Sequence, residues 1–400
     1  MDLGLQFGYG MIKISETLVT KWGKGCVILS PRDLEPDQIP GFAKRIRSRG
    51  GETLLDPQFY EPRANWPRLT RHSYWPPVYS TQLLTDGVLV TRMLRELRTL
   101  NISAGCEYLI VPGFAAGTVD DNWIGTQELF IEHSSKIHDP ERLLATICLS
   151  SDAVRSENQI HELLSTAESW NVSGFYLVAE HPKNEYLVED PVWLTNLLIL
   201  IAGLRLAGKR VIVGYGSHQL LCLATANASQ LASGNWMNMR SFSIDRYILP
   251  EEEESKRKAV WYYCPQALSE YKPMYLDMAQ RGGILDQLVP VESLNGGYAD
   301  VLFSGAQPSS TGFGEPNTFL HYLYALAGQC QQARKETYEE TLRFHQEFLD
   351  QVERKTELFR SHGVFGQDRD FAQYIDVSRA ALAALNKEVG FMLSKNWLAN

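Results

Sequence analysis

Residues 210–240 read RVIVGYGSHQLLCLATANASQLASGNWMNMR. The run Arg210–Val213 is branched and apolar, which is the chemistry of a buried strand. Gly214 and Gly216 then mark a turn around Tyr215, a short helical run follows, and residues 229–233 enter a second strand. A strand–turn–helix–strand unit of this kind belongs to a β/α fold. In a barrel it would deliver reactive side chains at the strand ends. Here the second strand ends on Ala232, Ser233, Gly234 and Asn235, which offer no acid or base.

The same alternation extends back to the start of the chain. Strand candidates occupy residues 3–10, 26–31, 52–59, 107–114, 143–150, 173–180, 210–216 and 229–233. Several are almost continuously apolar, as strands covered on both faces must be. Helix spacing falls between them, at 83–100, 157–170 and 191–207, the last opened by Asp190 as N-cap and Pro191 in the first turn. Eight such units predict an α/β fold of the (β/α)8 TIM barrel type over residues 1–245, with a C-terminal helical extension. The competing doubly wound sheet lacks its GxGxxG turn after the first strand. Residues 246–317 change in character, and 305–317 form a run of turn residues. Residues 318–400 read as helices packing on the barrel. Tyr338, Leu342, His345, Leu349 and Val352 make one stripe, which assigns His345 to the core.

Composition narrows the function classes. The net charge of −9 disfavours nucleic acid as the main partner. The basic cluster at 44–49 reads as a solvated helix face. The cluster at 256–258 closely follows the acidic run at 251–254, which cancels it. The start shows no leader pattern, and the longest apolar run, 193–206, is too short and too polar to span a bilayer. Six cysteines lie far apart with no CxxC pair, so a cytoplasmic protein with reduced thiols, no metal and no cofactor is expected.

Three segments resemble the transfer-RNA guanine transglycosylase family. LLDPQF (54–59) resembles the family's aspartate-bearing strand end, which recognises the base. VIVGYGSHQLLCLATANAS (211–229) resembles its seventh strand and following helix. FLHYLYALAGQCQQARKETYEETLRFHQEF (319–348) resembles the helices after its zinc motif. The resemblance implies a (β/α)8 barrel with a zinc-bearing insertion, here at 246–317, and a nucleophilic carboxylate. Counted without gaps, that nucleophile falls on Ser233, a poor nucleophile without an activating base. The zinc motif is absent: Cys264 stands alone and His345 would be a ligand without partners. The fourth, fifth and sixth strands end PGFAAG, CLSS and VAEH in place of the family's aspartate, glutamine and paired glycines.

The expected rim therefore holds Asp33, Asp56, Gln58, Phe59, Phe114, Asp120, Asp121, Glu180, His181, Tyr215, His218, Ser233, Asn235 and Arg240. Asp56 and Gln58 could bond the edge of a flat heterocycle between Phe59 and Tyr215. Alternatively, Asp56 only starts a turn. Gly214, Ser233 and Arg240 complete the candidate ligand set, with Ser233 and Arg240 open to a phosphate. Asp120–Asp121 and Glu180–His181 lack the second pair that a metal site needs.

The resemblance is strongest to the transglycosylase-like accessory proteins of bacterial CBASS anti-phage operons. These sit beside a QueC-like enzyme and a cGAS/DncV-like nucleotidyltransferase. It implies a binding component for a 7-deazaguanine-type base carried by that partner protein, with transfer RNA set aside. The aromatic segment 60–79 (YEPRANWPRLTRHSYWPPVY) is either the docking surface or an ordinary loop capping the barrel. The alternative is an active base-exchange enzyme whose carboxylate has moved to Asp56, Asp120 or Glu180. A third reading is an unrelated phosphosugar enzyme.

Overall fold

The computed structural model describes residues 1–76, 86–248 and 259–397. Eight parallel strands form a nearly closed (β/α)8 barrel. They are β1 (Asp2–Gln6), β2 (Cys26–Leu29), β3 (Glu52–Leu55), β4 (Leu109–Val111), β6 (Leu143–Leu149), β7 (Gly174–Ala179), β8 (Arg210–Val213) and β9 (Gln230–Ser233). The order is β3-β2-β1-β9-β8-β7-β6-β4, and the two-residue β5 (Ala115–Ala116) pairs with β6. Ring closure is made by β1 against β9, with Leu5 opposite Ser233. At the β3–β4 seam the Ala115 N–H donates to Tyr60 O at 3.0 Å, joining the strand ends.

Every residue of β6 and β7 is buried, as the continuous apolar runs predicted. The helices follow the strands: α1 (Met11–Trp22), α2 (Gln38–Arg47), α3 (Gly87–Ser103), α4 (Asp121–Ser135), α5 (Ser151–Arg155), α6 (Glu157–Ala167) and α7 (Pro191–Leu206). Asp190 caps α7 by accepting from the N–H groups of Val192 at 2.9 Å and Trp193 at 3.2 Å. Between β8 and β9 the connection is a 3-10 segment, His218–Ala226, capped by the Ser217 hydroxyl and ended by Asn227 in the left-handed conformation.

A hairpin, β10 (Tyr262–Cys264) and β11 (Ser269–Tyr271), and helix α8 (Pro273–Arg281) follow the barrel. They enclose a second apolar core with Leu288, Leu302, Phe359 and Val364. Cys264 is buried in it and behaves as a small hydrophobe, its thiol pushed up to about 12 by burial. Helices α9 (Glu315–Ala333), α10 (Tyr338–Ser361) and α11 (Ile375–Lys395) close the molecule. Helix α9 starts three residues before the expected boundary at 318, because Pro316 fits the first helical turn. The α10 stripe is buried at Tyr338, His345, Leu349 and Val352, and Leu342 is half-buried. His345 bonds Ala333 O through Nε2 at 3.0 Å, and burial lowers its pKa to about 4, as for a neutral core histidine.

Among the described residues no helix is long and apolar enough to cross a membrane. The run 251–254 and the cluster 256–258 lie outside the described residues. In the 44–49 cluster, Arg45 and Arg49 both pair with Glu16, at 2.6 and 3.3 Å.

Candidate functional site

Strand β3 ends at Leu55, and the next residues turn into the barrel mouth. Asp56 is fully buried there. Its carboxylate accepts from the Tyr60 hydroxyl at 2.8 Å, the Tyr215 hydroxyl at 3.0 Å and the Tyr176 hydroxyl at 3.2 Å. It also accepts from the Gln58 N–H at 2.9 Å, which is the turn-starting role. Burial raises the Asp56 pKa to about 6, and these four hydrogen bonds hold it from rising further. Gln58 donates through Nε2 to Ser30 Oγ at 2.9 Å and to the Tyr215 and Tyr247 hydroxyls at 3.2 Å each. Tyr215 and Tyr247 bond each other at 2.9 Å.

Two residues pay for this geometry in backbone strain. Gln58 (φ 52°) and Tyr215 (φ 55°) both occupy the left-handed region, disfavoured for side chains of their size. Such strain costs about 1–3 kcal/mol per residue and gathers at functional sites. In this barrel it brings the Gln58 backbone N–H and the Tyr215 hydroxyl, from opposite strands, onto one carboxylate. Gly214 makes room for a third: a Cβ there would lie 2.6 Å from the Tyr176 hydroxyl. Gly214→Ala should push Tyr176 off Asp56 and cost about 1–3 kcal/mol, measurable by urea denaturation.

The mouth is therefore filled by the protein's own rings. Tyr60, Tyr176, Tyr215, Phe242 and Tyr247 are all buried. Phe242 lies 5.1 Å from Tyr60, 5.2 Å from Tyr215 and 5.7 Å from Tyr247 between ring centroids.

The structure divides the expected ligand set. Asp56, Gln58, Gly214 and Tyr215 meet at the mouth. Phe59 lies outside that cluster and packs on Trp75, Phe114 and Phe130. Ser233 is buried, and no acid or base bonds its hydroxyl among the described residues.

Arg240 belongs to a second, separate cluster. It is buried over the Tyr322 ring at 3.4 Å and donates to Gly234 O at 2.9 Å and Asn235 O at 2.7 Å. Glu270 on β11 faces it at 3.5 Å and pairs with Arg369 at 2.8 Å. Burial alone would raise the Glu270 pKa, but Arg369 and Arg240 outweigh it and leave it at about 2. His218 packs between Tyr263 and Phe371, and burial lowers its pKa to about 4.

The remaining rim groups serve the fold. Asp120 caps α4 by accepting from the Trp123 N–H at 2.9 Å, with Asp121 in the first turn. Glu180 accepts from the Ile244 N–H at 3.0 Å and the Ser151 N–H at 3.2 Å. His181 is buried and bonds Glu185 O at 3.0 Å. Asp33 accepts from the Ser30 hydroxyl at 2.7 Å. No three His, Cys, Asp or Glu side chains converge as metal ligands among the described residues. In the 60–79 segment, Tyr74 and Trp75 turn inward, and the Tyr74 hydroxyl donates to Pro57 O at 2.7 Å. Residues 77–79 lie outside the described residues.

The sequence reading missed Tyr60, Tyr176, Tyr247, Glu270 and Arg369. Tyr176 left a signal, as the polar-tipped ring in the apolar run SGFYLVAE. Tyr60 is the sequence neighbour of Phe59, in the irregular turn after β3. Glu270 left none, since only the hairpin's register sets it against Arg240.

No family model matches the chain, and no curated protein matches it. Solved structures share only low identity. An exo-beta-1,4-mannosidase from Opitutaceae bacterium strain TAV5 is 12% identical with a TM-score of 0.34, covering 58% of this chain. The chain spans about half (52%) of that mannosidase. The carboxyl transferase domain of Rhizobium etli pyruvate carboxylase, with pyruvate, is 10% identical over 98% of this chain and 78% of that one, at a TM-score of 0.33. The same domain with 3-bromopyruvate is 11% identical over the same shares, at 0.35.

Proposed function

We propose that this barrel is a binding protein on a transglycosylase-like scaffold and performs no glycosyl exchange itself. One observation carries the reading: the carboxylate at the barrel mouth, Asp56, is buried and saturated by three tyrosine hydroxyls and a backbone N–H. Attack at a sugar carbon needs an exposed carboxylate beside the substrate. Ser233, at the family's nucleophile position, is buried without a base. Asp120 and Glu180, the candidates for a relocated nucleophile, hold backbone N–H groups instead.

Under this reading the chain serves as an accessory component of anti-phage defence. Its partner is a protein such as a cGAS/DncV-like nucleotidyltransferase that carries a 7-deazaguanine-type base. The base's paired N–H donors match Asp56 and Gln58 and would take the place of the tyrosine hydroxyls.

Two assays test it. Incubation with guanine-labelled transfer RNA and free 7-deazaguanine should release label at the background rate. Co-expression with the base-bearing partner should give a co-purifying complex that Asp56→Asn weakens about tenfold or more. Label release that disappears in Asp56→Asn would establish the exchange enzyme instead.

A further inference from the structure

The rings that fill the mouth are not all held in the same way. Tyr176 lies inside β7, and Tyr60 and Tyr215 lie in the turns after β3 and β8. Phe242 is tied to the barrel by a parallel bridge with Glu180, and its carbonyl accepts from the His181 N–H at 3.1 Å. Tyr247 has no such anchor. It ends a single 3-10 turn, Ile244–Tyr247, that pairs with no strand among the described residues. Within residues 244–248 it is the one buried side chain: Ile244 and Arg246 are half-buried, and Asp245 and Ile248 are exposed.

The other bonds that hold this turn are polar and lie outside the ring cluster. The Ile244 N–H donates to Glu180 Oε1 at 3.0 Å. Arg246 Nη1 donates to Asn238 O at 2.9 Å and to Ser241 O at 2.5 Å. The Arg246 carbonyl accepts from Arg32 Nη1 at 2.9 Å. Water replaces bonds of this kind at a modest net cost, so the turn can open without unfolding the barrel.

The place that Tyr247 occupies has the chemistry of a base site. The Arg32 guanidinium covers its ring at 5.3 Å from the centroid, and Tyr60 meets it edge-on at 5.0 Å. Its hydroxyl lies 3.2 Å from the Gln58 Nε2 donor and 2.9 Å from the Tyr215 hydroxyl. The Gln58 amide is preset for this contact, because its Oε1 accepts from the Arg32 N–H at 2.9 Å and leaves Nε2 toward the rings. A planar heterocycle bearing a carbonyl would meet the same cation face, the same amide donor and a hydroxyl that leads to Asp56 at 3.0 Å.

We infer that Tyr247 is a removable plug that stands in for the ligand. The turn at 244–248 lifts, the ring leaves, and the base stacks on Arg32 with its carbonyl accepting from Gln58 Nε2. The inference rests on the mouth being the binding site proposed above. The wild-type affinity is then the intrinsic affinity reduced by the fraction of molecules with the ring withdrawn.

Calorimetric titration of the full chain with free 7-deazaguanine tests it. Tyr247→Ala should bind the base at least about tenfold more tightly than wild type, because no ring has to be expelled. Arg246→Ala keeps the ring and loosens the turn from outside the mouth, and should tighten binding about threefold or more. Hydrogen exchange of the unliganded wild type gives a second readout. The amides of residues 244–248 should exchange at least about a hundredfold faster than those of β8 and β9. Exchange as slow as that of the strands overturns the plug, and so does wild-type affinity in Arg246→Ala, which would mean that Tyr247→Ala had merely carved a cavity. Binding by wild type with no gain in Tyr247→Ala overturns the plug and leaves the mouth as the site. No binding by either protein up to about 1 mM overturns both.

Discussion

Glu270→Ala is expected to destabilise the protein by about 3–5 kcal/mol. Glu270 is 1% exposed and is the carboxylate partner of Arg240, itself 2% exposed. Removing it strands that guanidinium in a low-dielectric site and leaves Arg369 without its 2.8 Å pair. The Tyr186 hydroxyl, which donates to Glu270 at 2.7 Å, also loses its acceptor. The loss couples three parts of the chain: the loop after β9, the β10–β11 hairpin and the turn before α11. Guanidinium denaturation should therefore show the midpoint falling for the barrel and the C-terminal helices together. A loss under about 1 kcal/mol would mean that Arg240 finds water or another anion when Glu270 is gone. Replacing Glu270, Arg240 and Arg369 together by apolar residues of similar size should cost far less, because the penalty arises from the unpaired charge.

The second large effect is a pH dependence centred on Asp56. Its pKa rises from an ordinary 3.8 to about 6 in the folded protein, chiefly through burial. The folded state therefore holds this proton more tightly than the unfolded chain. The stability it contributes is fully present below pH ~3.8 and is lost as pH rises through about 6, a change of roughly 3 kcal/mol. The wild-type curve will not show this directly. His181, His218, His321 and His345 are buried with pKa values lowered to about 4, and they destabilise the fold in the opposite direction as pH falls. The quantity to measure is the difference between Asp56→Asn and wild type. Asp56→Asn should gain roughly 3 kcal/mol relative to wild type between pH 4 and pH 7. A flat difference across that window would show that the tyrosine hydroxyls hold Asp56 at an ordinary carboxylate pKa.

The barrel was legible because periodicity is a local property. β6 and β7 are buried on both faces, and their continuous apolar runs announce it. Asp190–Pro191 specify a helix start from adjacent residues. The site was legible only in part. Asp56, Gln58 and Tyr215 could be picked out as polar residues at strand ends, and they do meet. Phe59 could not be oriented, because whether it or Tyr60 points inward depends on where β3 stops pleating. Arg240 could be noticed as a cation near the last strand, but its partner lies 30 residues later, across a hairpin.

By itself, the sequence determined the eight-fold alternation, the strand and helix order, and the absence of a carboxylate at Ser233. Each of these follows from residue identity and short-range spacing. Tertiary structure decided that Asp56 is saturated by Tyr60 from the turn after β3, Tyr176 from inside β7 and Tyr215 from just after β8. It also decided that Arg240 is held against Glu270. These depend on ring closure, which brings strand ends far apart in sequence within hydrogen-bond distance. Hydrogen bonds act over about 3 Å, and no local pattern encodes which distant groups will come that close.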